Sequence, residues 1–517
     1  MTDRTGVLGL DVGTTSTKAV LFDPGGAAIA DASFGYPLVA PEHGWAVQDP
    51  DAIVKAVLDS VAEVATAARD AHVTVAGIAV STAMHSLLAL DADRRPLTPA
   101  ITWADGRAAA QARRLRADGT APRLNGRIGT PVHPMSPLVK LIWFREEDPA
   151  TYAAARHWVG LKEYVLAALT DGGDLVVDRS IASATGLYDV LAGDWDAEAL
   201  DLAGIRHDQL ATLVGATDRV GGLGRKAAAA TGIPSGTPVV AGASDGVLAN
   251  VGVGAVGFGT VACSIGTSGA LRVTVDRPAV DPSGRLFCYA LDEEHWVVGG
   301  ATNNGGNVLR WMRQALAPEL SGDAADGTLA ELAGQAPPGS GGLVMLPYLA
   351  GERAPRWQGN PRGVYFGLTG EHRREHLVRA GLEGVCLQLA LVLRAMEDGG
   401  LGVYEIRATG GFSRSPLWRQ LLADVLGREV GYPVSHEGSA FGAAIVGMRG
   451  LGMIASLDVA TDLAPVADVD SPGEAAAVYA RLLPLYDSLW DALEPSFDAL
   501  AELAAELPGT PAATPPV

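Results

Sequence analysis

Asp11-Val12-Gly13-Thr14-Thr15-Ser16-Thr17-Lys18 joins a short apolar run, residues 6–10, to a second strand-like run, residues 19–22. Strand, polar Gly/Thr turn and strand make a hairpin. Backbone N–H groups in such a turn line a concave anion site, and Thr14, Thr15, Ser16 and Thr17 add hydroxyl donors. Lys18 supplies a point charge for phosphate. Asp11, at the strand end, has the hard oxygens that Mg²⁺ takes directly or through water. No GxxxxGKS or GxxxxGKT run occurs in the chain, so a Walker phosphate loop is excluded.

The pattern returns at residues 261–265, Gly266-Thr267-Ser268-Gly269 and 271–275. Gly13-Thr14 and Gly266-Thr267 are 253 residues apart, close to half of the 517-residue chain. Each second strand ends at an aspartate just before a proline, Asp23-Pro24 and Asp276-Arg277-Pro278. Self-similarity at half-length predicts two homologous domains facing each other, each offering one phosphate turn. Around them helices and strands alternate, which favours an α/β class. Helices are expected at 52–68, 377–396, 416–426 and 440–448, and strands at 73–81 and 405–409. Between the last strand and its helix, Gly410-Gly411 lets a flat ring such as adenine approach the backbone. A final helix should reach about Leu507, followed by a disordered Pro/Thr/Ala tail at 508–517.

Composition narrows the function classes. The chain is 48% hydrophobic with a formal net charge of −20, far too apolar for disorder. That acidic balance gives no electrostatic footprint for nucleic acid or an anionic membrane. Cys263, Cys288 and Cys386 sit in apolar runs and read as buried thiols in a reducing compartment. Residues 7–10 are too short for a signal peptide and meet Asp11 at once, so a cytoplasmic enzyme is expected. Residues 246–271 carry no charge and are long enough to span a membrane. Their glycines and hydroxyl residues read better as short buried strands joined by glycine turns.

Asp245 is the lone charge between Pro234 and Leu271. An isolated carboxylate in so apolar a setting is costly unless hydrogen-bonded or functional. Beside a substrate hydroxyl it would serve as general base, and it would also cap a helix over 246–251. Met84-His85, Trp103-Ala104-Asp105-Gly106-Arg107 and the stretch from His133 to Lys140 mix polar, charged and aromatic types. Together they suit a polyol, since carboxylate and guanidinium bind hydroxyls and Trp stacks on a carbon chain. His85 and His133 lack metal spacing with any acidic partner, which argues against zinc.

These residues resemble the FGGY carbohydrate kinases. Met135-Ser136-Pro137-Leu138-Val139-Lys140-Leu141-Ile142-Trp143 looks like the family's first signature. Gly363-Val364-Tyr365-Phe366-Gly367-Leu368, continuing through His376-Leu377 to Glu383, looks like its second. The resemblance implies two actin/hexokinase-like (ribonuclease H-like) ATPase domains with a cleft between them. Their expected extents are 1–250 and 251–495, with a helix end and tail at 496–517. It further implies that ATP and Mg²⁺ are used, with Asp11 on the metal and Asp245 as base. Thr14, Thr15, Ser16, Lys18, Gly266, Thr267 and Gly305 would hold phosphate, and Gly410, Gly411 and Ser415 would lie on the adenosine side.

Within the family, Ala83-Met84-His85-Ser86-Leu87, Ile101-Thr102-Trp103-Ala104-Asp105, Gly129 through Met135 and Asn303-Asn304-Gly305-Gly306 look most like gluconokinases. Xylulokinases share the Met-His pair and come next. The implied reaction is phosphorylation of D-gluconate to 6-phospho-D-gluconate. Met84, His85, Trp103, Asp105, Arg107, His133, Lys162 and Asp245 would lie on the substrate side. Arg107, Lys140, Lys162 and His85 are the candidates for the carboxylate, because a cation about 4 Å away is worth roughly 4 kcal/mol where distant surface charge is screened. The expected partner is a small sugar or sugar acid, and a homodimer is allowed. An actin-like ATPase scaffold is the rival class, but it leaves Met84-His85, Trp103, Asp105 and Arg107 idle.

Overall fold

Strands β1 (Arg4–Val12) and β2 (Ser16–Phe22) pair antiparallel, with Asp11 opposite Lys18 and Val12 opposite Thr17. Strand β3 (Ala28–Gly35) extends this meander, and β4 (Val73–Thr82) lies parallel against β1. With β5 (Arg219–Gly222) and β6 (Pro238–Val240) they form a sheet in the order β3-β2-β1-β4-β6-β5. The computed structural model describes residues 4–42, 44–322, 325–434 and 438–506. The tail at 508–517 lies outside the described residues.

A second sheet contains β7 (Thr260–Ile265), β8 (Gly269–Val275), β9 (Phe287–Ala290) and β10 (Trp296–Thr302). Its other members are β11 (Glu405–Thr409), β12 (Val430–Pro433) and β13 (Val466–Asp470). Leaving aside edge strand β9, the order β10-β8-β7-β11-β12-β13 repeats the first sheet strand for strand, direction included. The expected duplication is therefore present. The second turn is one residue tighter, since Ile265 pairs with Gly269 whereas Val12 pairs with Thr17.

This topology aims both sheets at one place. β1, β4 and β6 run parallel, so Asp11-Val12, Ser81-Thr82 and the following Ser244-Asp245 emerge at one edge. β7 and β11 deliver Gly266 and Gly410 to the matching edge of the second sheet. Ligands of open α/β sheets bind where parallel strands end.

Helix α1 (Pro50–Asp70) starts where the Asp49 side chain caps the Asp51 N–H, and it buries Ile53, Val57, Val61 and Val64 on the first sheet. Helix α2 (Asp245–Gly252) opens the uncharged stretch that otherwise reads as strands. Ser244 is its cap, because the Ser244 carbonyl already accepts from Leu248, so Asp245 is the first helical residue. Helix α3 (Arg374–Asp398) is long and apolar enough to cross a membrane by length and composition, but it lies buried inside the protein. Helix α4 (Pro416–Leu426) follows β11 as expected.

Helix α5 (Gly438–Gly450) belongs to the second half of the chain, yet it lies on β1 and β4 of the first sheet and crosses α2. The crossing is backbone on backbone. A Cβ at Gly442 would collide with the Leu248 carbonyl, and one at Gly252 with the Gly438 carbonyl. Helix α6 (Ala476–Glu506) buries Tyr479, Tyr486, Trp490 and Phe497. It therefore continues as packed structure through position 496, where the sequence alone suggests a boundary. A separate apolar core with Leu138, Leu141, Phe144 and Trp158 supports the lobe between β4 and β5.

Gly442→Ala should lower unfolding stability by roughly 1–3 kcal/mol, the usual cost of overpacking. Urea unfolding would read this as a lower midpoint at unchanged slope.

Candidate active site

The strand ends meet at an interdomain cavity of about 240 Å³. Its second-domain wall is one face of the sheet, built by register. Ser264 lies opposite Ala270 and Ala270 opposite Ala301; one pleat further, Arg272 and Phe287 both lie opposite Gly299. Directly opposed residues and those two apart share a face. The alanines and the glycine leave a low floor, from which Arg272 and the stacked pair Phe287–Tyr289 rise, the ring centroids 4.3 Å apart.

The first domain contributes Thr14, Met84, His85, Trp103, Met135 and Asp245. The first turn is held from three sides. Trp103 Nε1 donates to Thr14 Oγ1 at 2.9 Å, Gln48 Nε2 to the Thr14 carbonyl at 2.6 Å and Tyr36 OH to the Gly13 carbonyl at 2.6 Å. Ser81 Oγ donates to Asp11 Oδ1 at 2.6 Å. In the second domain Ser264 takes the position of Asp11, two residues before the turn glycine. Gly269 N–H of the second turn donates to Thr302 Oγ1 at 3.1 Å, and Gly306 N–H to the Gly266 carbonyl at 2.7 Å.

Burial raises Asp245 above the ordinary carboxylate range, while Arg272 and the Gly246 N–H, 2.7 Å from Oδ1, pull it down. Such a carboxylate is a stronger base than an exposed one. His85 is held neutral: burial, aided by Lys140, lowers it to about 3. Its Nδ1 lies 2.7 Å from the Ala184 carbonyl, which can only accept, so Nδ1 carries the proton. That leaves Nε2, 3.5 Å from Tyr289 OH, as an acceptor facing the cavity. Burial also lowers Arg353, to about 10, with its guanidinium 5.2 Å over the Trp103 ring.

Comparison with known proteins matches two domains of one family. Residues 6–252 match the FGGY family of carbohydrate kinases, N-terminal domain, and residues 261–451 its C-terminal domain. The chain belongs to this family. It is a carbohydrate kinase, an enzyme class that takes ATP as phosphoryl donor. The chain is similar to the gluconokinase of Bacillus subtilis (strain 168), 42% identical over 96% of this chain and 98% of that protein. The gluconokinase of Bacillus licheniformis is 44% identical over 97% and 98%. Among solved structures, a gluconate kinase from Lactobacillus acidophilus superposes with TM-score 0.90 at 35% identity, covering 96% of this chain and all of that one.

In this FGGY kinase the cavity brings together Thr14 of the first turn, Ser268 and Gly269 of the second, and Asp245. Met84, His85 and Trp103 also line it. Gly410 has φ 119°, and a Cβ there would strike the Ile265 carbonyl, so it lies flush against the strand leading to the second turn. Gly305 backs onto Ser268 of the same turn. Gly411 follows in the same loop, while Ser415 Oγ caps α4 by accepting from Trp418 N–H. Asp11 and Lys18 face each other across the hairpin, below the tip formed by Thr15 and Ser16.

Four substrate-side expectations do not reach the cavity wall. Asp105 and Arg107 form a buried two-pronged pair, both bonds 2.8 Å, with the guanidinium 3.6 Å above the Trp45 ring. Lys162 is fully enclosed, 2.8 Å from Asp178 and 3.0 Å from the Ala243 carbonyl. His133 stands behind Trp357, its Nδ1 accepting from Met135 N–H. Lys140, the further carboxylate candidate, donates to the carbonyls of His85 and Thr102 at 2.7 and 2.8 Å. Burial keeps His133 neutral, and Arg107, Lys162 and Lys140 are cations tied into the scaffold. Those on the cavity wall are Arg272 and Arg353, which the sequence reading missed. The one signal for Arg272 was a lone charge inside an apolar strand; Arg353 had none.

Lys162→Met should cost about 3–5 kcal/mol of stability, because Asp178 is left buried and unpaired. Chemical denaturation would show that loss, and pairing the change with Asp178→Leu should recover most of it.

Proposed function

We propose that this carbohydrate kinase phosphorylates D-gluconate at its terminal hydroxyl, giving 6-phospho-D-gluconate with ATP as donor. The observation that carries this reading is the shared wall: both Gly/Thr turns and Asp245 border one cavity. The choice of sugar is supported by the two full-length gluconokinase relatives. Asp245 takes the proton of the attacking hydroxyl, and its burial suits a general base. N–H and hydroxyl groups of the two turns stabilise charge on the transferring phosphoryl group. His85 Nε2 and Trp103 orient the polyol.

Mg²⁺ fits the donors present. The described residues contain no cluster of three or more His, Cys, Asp and Glu, whereas Mg²⁺ takes one or two carboxylates with nucleotide phosphates and water. Asp11 at the first turn supplies such a carboxylate, and the bound ion would neutralise phosphate charge. The three buried free thiols suit a reducing, cytoplasmic setting. A neutral pentulose is the second reading. The xylulose kinase of Bacillus subtilis (strain 168) is 30% identical, and a ligand-bound xylulose kinase from Lactobacillus acidophilus also superposes at TM-score 0.90.

An ADP-release assay with gluconate, D-xylulose, L-ribulose and glycerol tests the choice, and preference for a neutral substrate removes gluconate. Asp245→Asn should keep the fold and ATP binding but lower kcat by roughly 10²–10⁴-fold. A near-normal kcat in that variant would refute the base. In the parent enzyme kcat/KM should fall with acid as Asp245 is protonated, with a midpoint above the ~3.9 of an exposed aspartate. A midpoint at or below that value would contradict the raised carboxylate.

A further inference from the structure

The cavity wall carries more positive than negative charge. Among the described residues lining it, Arg272 and Arg353 stand against a single carboxylate, Asp245, and His85 is neutral. Neither arginine forms an ion pair within 4.0 Å among the described residues, and the carboxylates that act on them from further off are Asp245 for Arg272 and Glu352 with Asp245 for Arg353. Arg272 Nη1 reaches only the neutral Ser264 Oγ at 3.3 Å, and Arg353 Nη2 the Thr302 carbonyl at 2.8 Å. Arg353 Nε is buried and meets no acceptor among the described residues. Two desolvated guanidinium groups that also repel each other are costly to keep. An anion placed between them removes that cost, and the planar fork of Arg suits a carboxylate.

The Arg272 backbone stands two residues beyond Ala270 on β8, and its side chain reaches back to Ser264, which is level with Ala270. Arg353 reaches the Thr302 carbonyl, so both guanidinium groups and Asp245 border the same small cavity. A linear sugar acid whose carbon chain fills this cavity meets both Asp245 and the arginines. Trp103, beneath Arg353, offers the chain an apolar face.

We propose that Arg272 and Arg353 hold the carboxylate of the sugar acid and so set the preference for an acid over a neutral polyol of equal length. This rests on the gluconate reading above and assigns the specificity to two residues. Arg107, Lys140, Lys162 and His85 lose that role.

The test compares the parent enzyme with Arg272→Met, Arg353→Met and Arg272→Lys. Each is assayed with gluconate and with glucitol, in which a CH₂OH replaces the carboxylate. Each methionine variant should raise the KM for gluconate roughly 10- to 100-fold, the loss of a charge-assisted hydrogen bond, with little change for glucitol. Arg272→Lys should recover part of the loss. Calorimetry on the parent without ATP should show gluconate binding at least about tenfold tighter than glucitol, a readout independent of how the variants fold. Equal losses on both substrates, or a kcat loss at unchanged KM, would overturn the assignment and move Arg272 to the phosphoryl group. A parent enzyme that uses neutral sugars but not gluconate would sink the substrate reading itself. A gluconate-selective parent whose variants stay selective would sink only the arginines.

Discussion

Helices α2 and α5 cross with backbone against backbone, and the geometry of the cleft follows from that contact. Gly252 and Gly442 admit the opposing carbonyls where any side chain would hold the helices apart. Helix α2 begins with Asp245 and α5 lies on β1, so one crossing ties the candidate base to the strand that carries Asp11. Ser439 of α5 also donates to the Asp245 carbonyl, at 3.2 Å. A loosened crossing would move the acid relative to both Gly/Thr turns. The close approach therefore serves position as much as stability.

The duplicated sheet supplies the rest by symmetry. In each half the antiparallel hairpin leaves a turn at the edge where the parallel strands end, and the halves face each other. The halves differ at the residue two before the turn. Asp11 in the first half is a carboxylate that accepts from Ser81, while Ser264 in the second keeps the equivalent place uncharged beside Arg272. Repeating the backbone while varying one side chain gives two similar turns, only one of them beside an acid.

Buried charge divides into two populations. Asp105–Arg107 and Lys162–Asp178 are closed pairs, and Lys140 is satisfied by two carbonyls. They hold the lobe between β4 and β5 together and present nothing to the cavity. Asp245, Arg272 and Arg353 are less completely matched, and they border the cavity. Incomplete pairing of buried charge is expensive in a scaffold and useful in a binding site.

Much of the fold was legible from residues that act on near neighbours. The turn at Gly13, strand β11 and helix α4 depend on contacts a few positions apart, and their spans follow the residues closely. Asp245 also stood out, because its isolation is a local property of the chain. Whether a cation is free is not local. Lys162 is paired with Asp178 and donates to the Ala243 carbonyl, Lys140 donates to the carbonyls of residues 85 and 102, and Arg272 gains its place only when β8 lies beside β10 and across from α2. The sequence by itself determined the two turns, the lone acid and the alternating α/β pattern, since short-range sterics and hydrogen bonding dictate them. Only the tertiary structure decided which buried charges are spent on the scaffold and which face the cavity, because electrostatic pairing depends on distance in space and not along the chain.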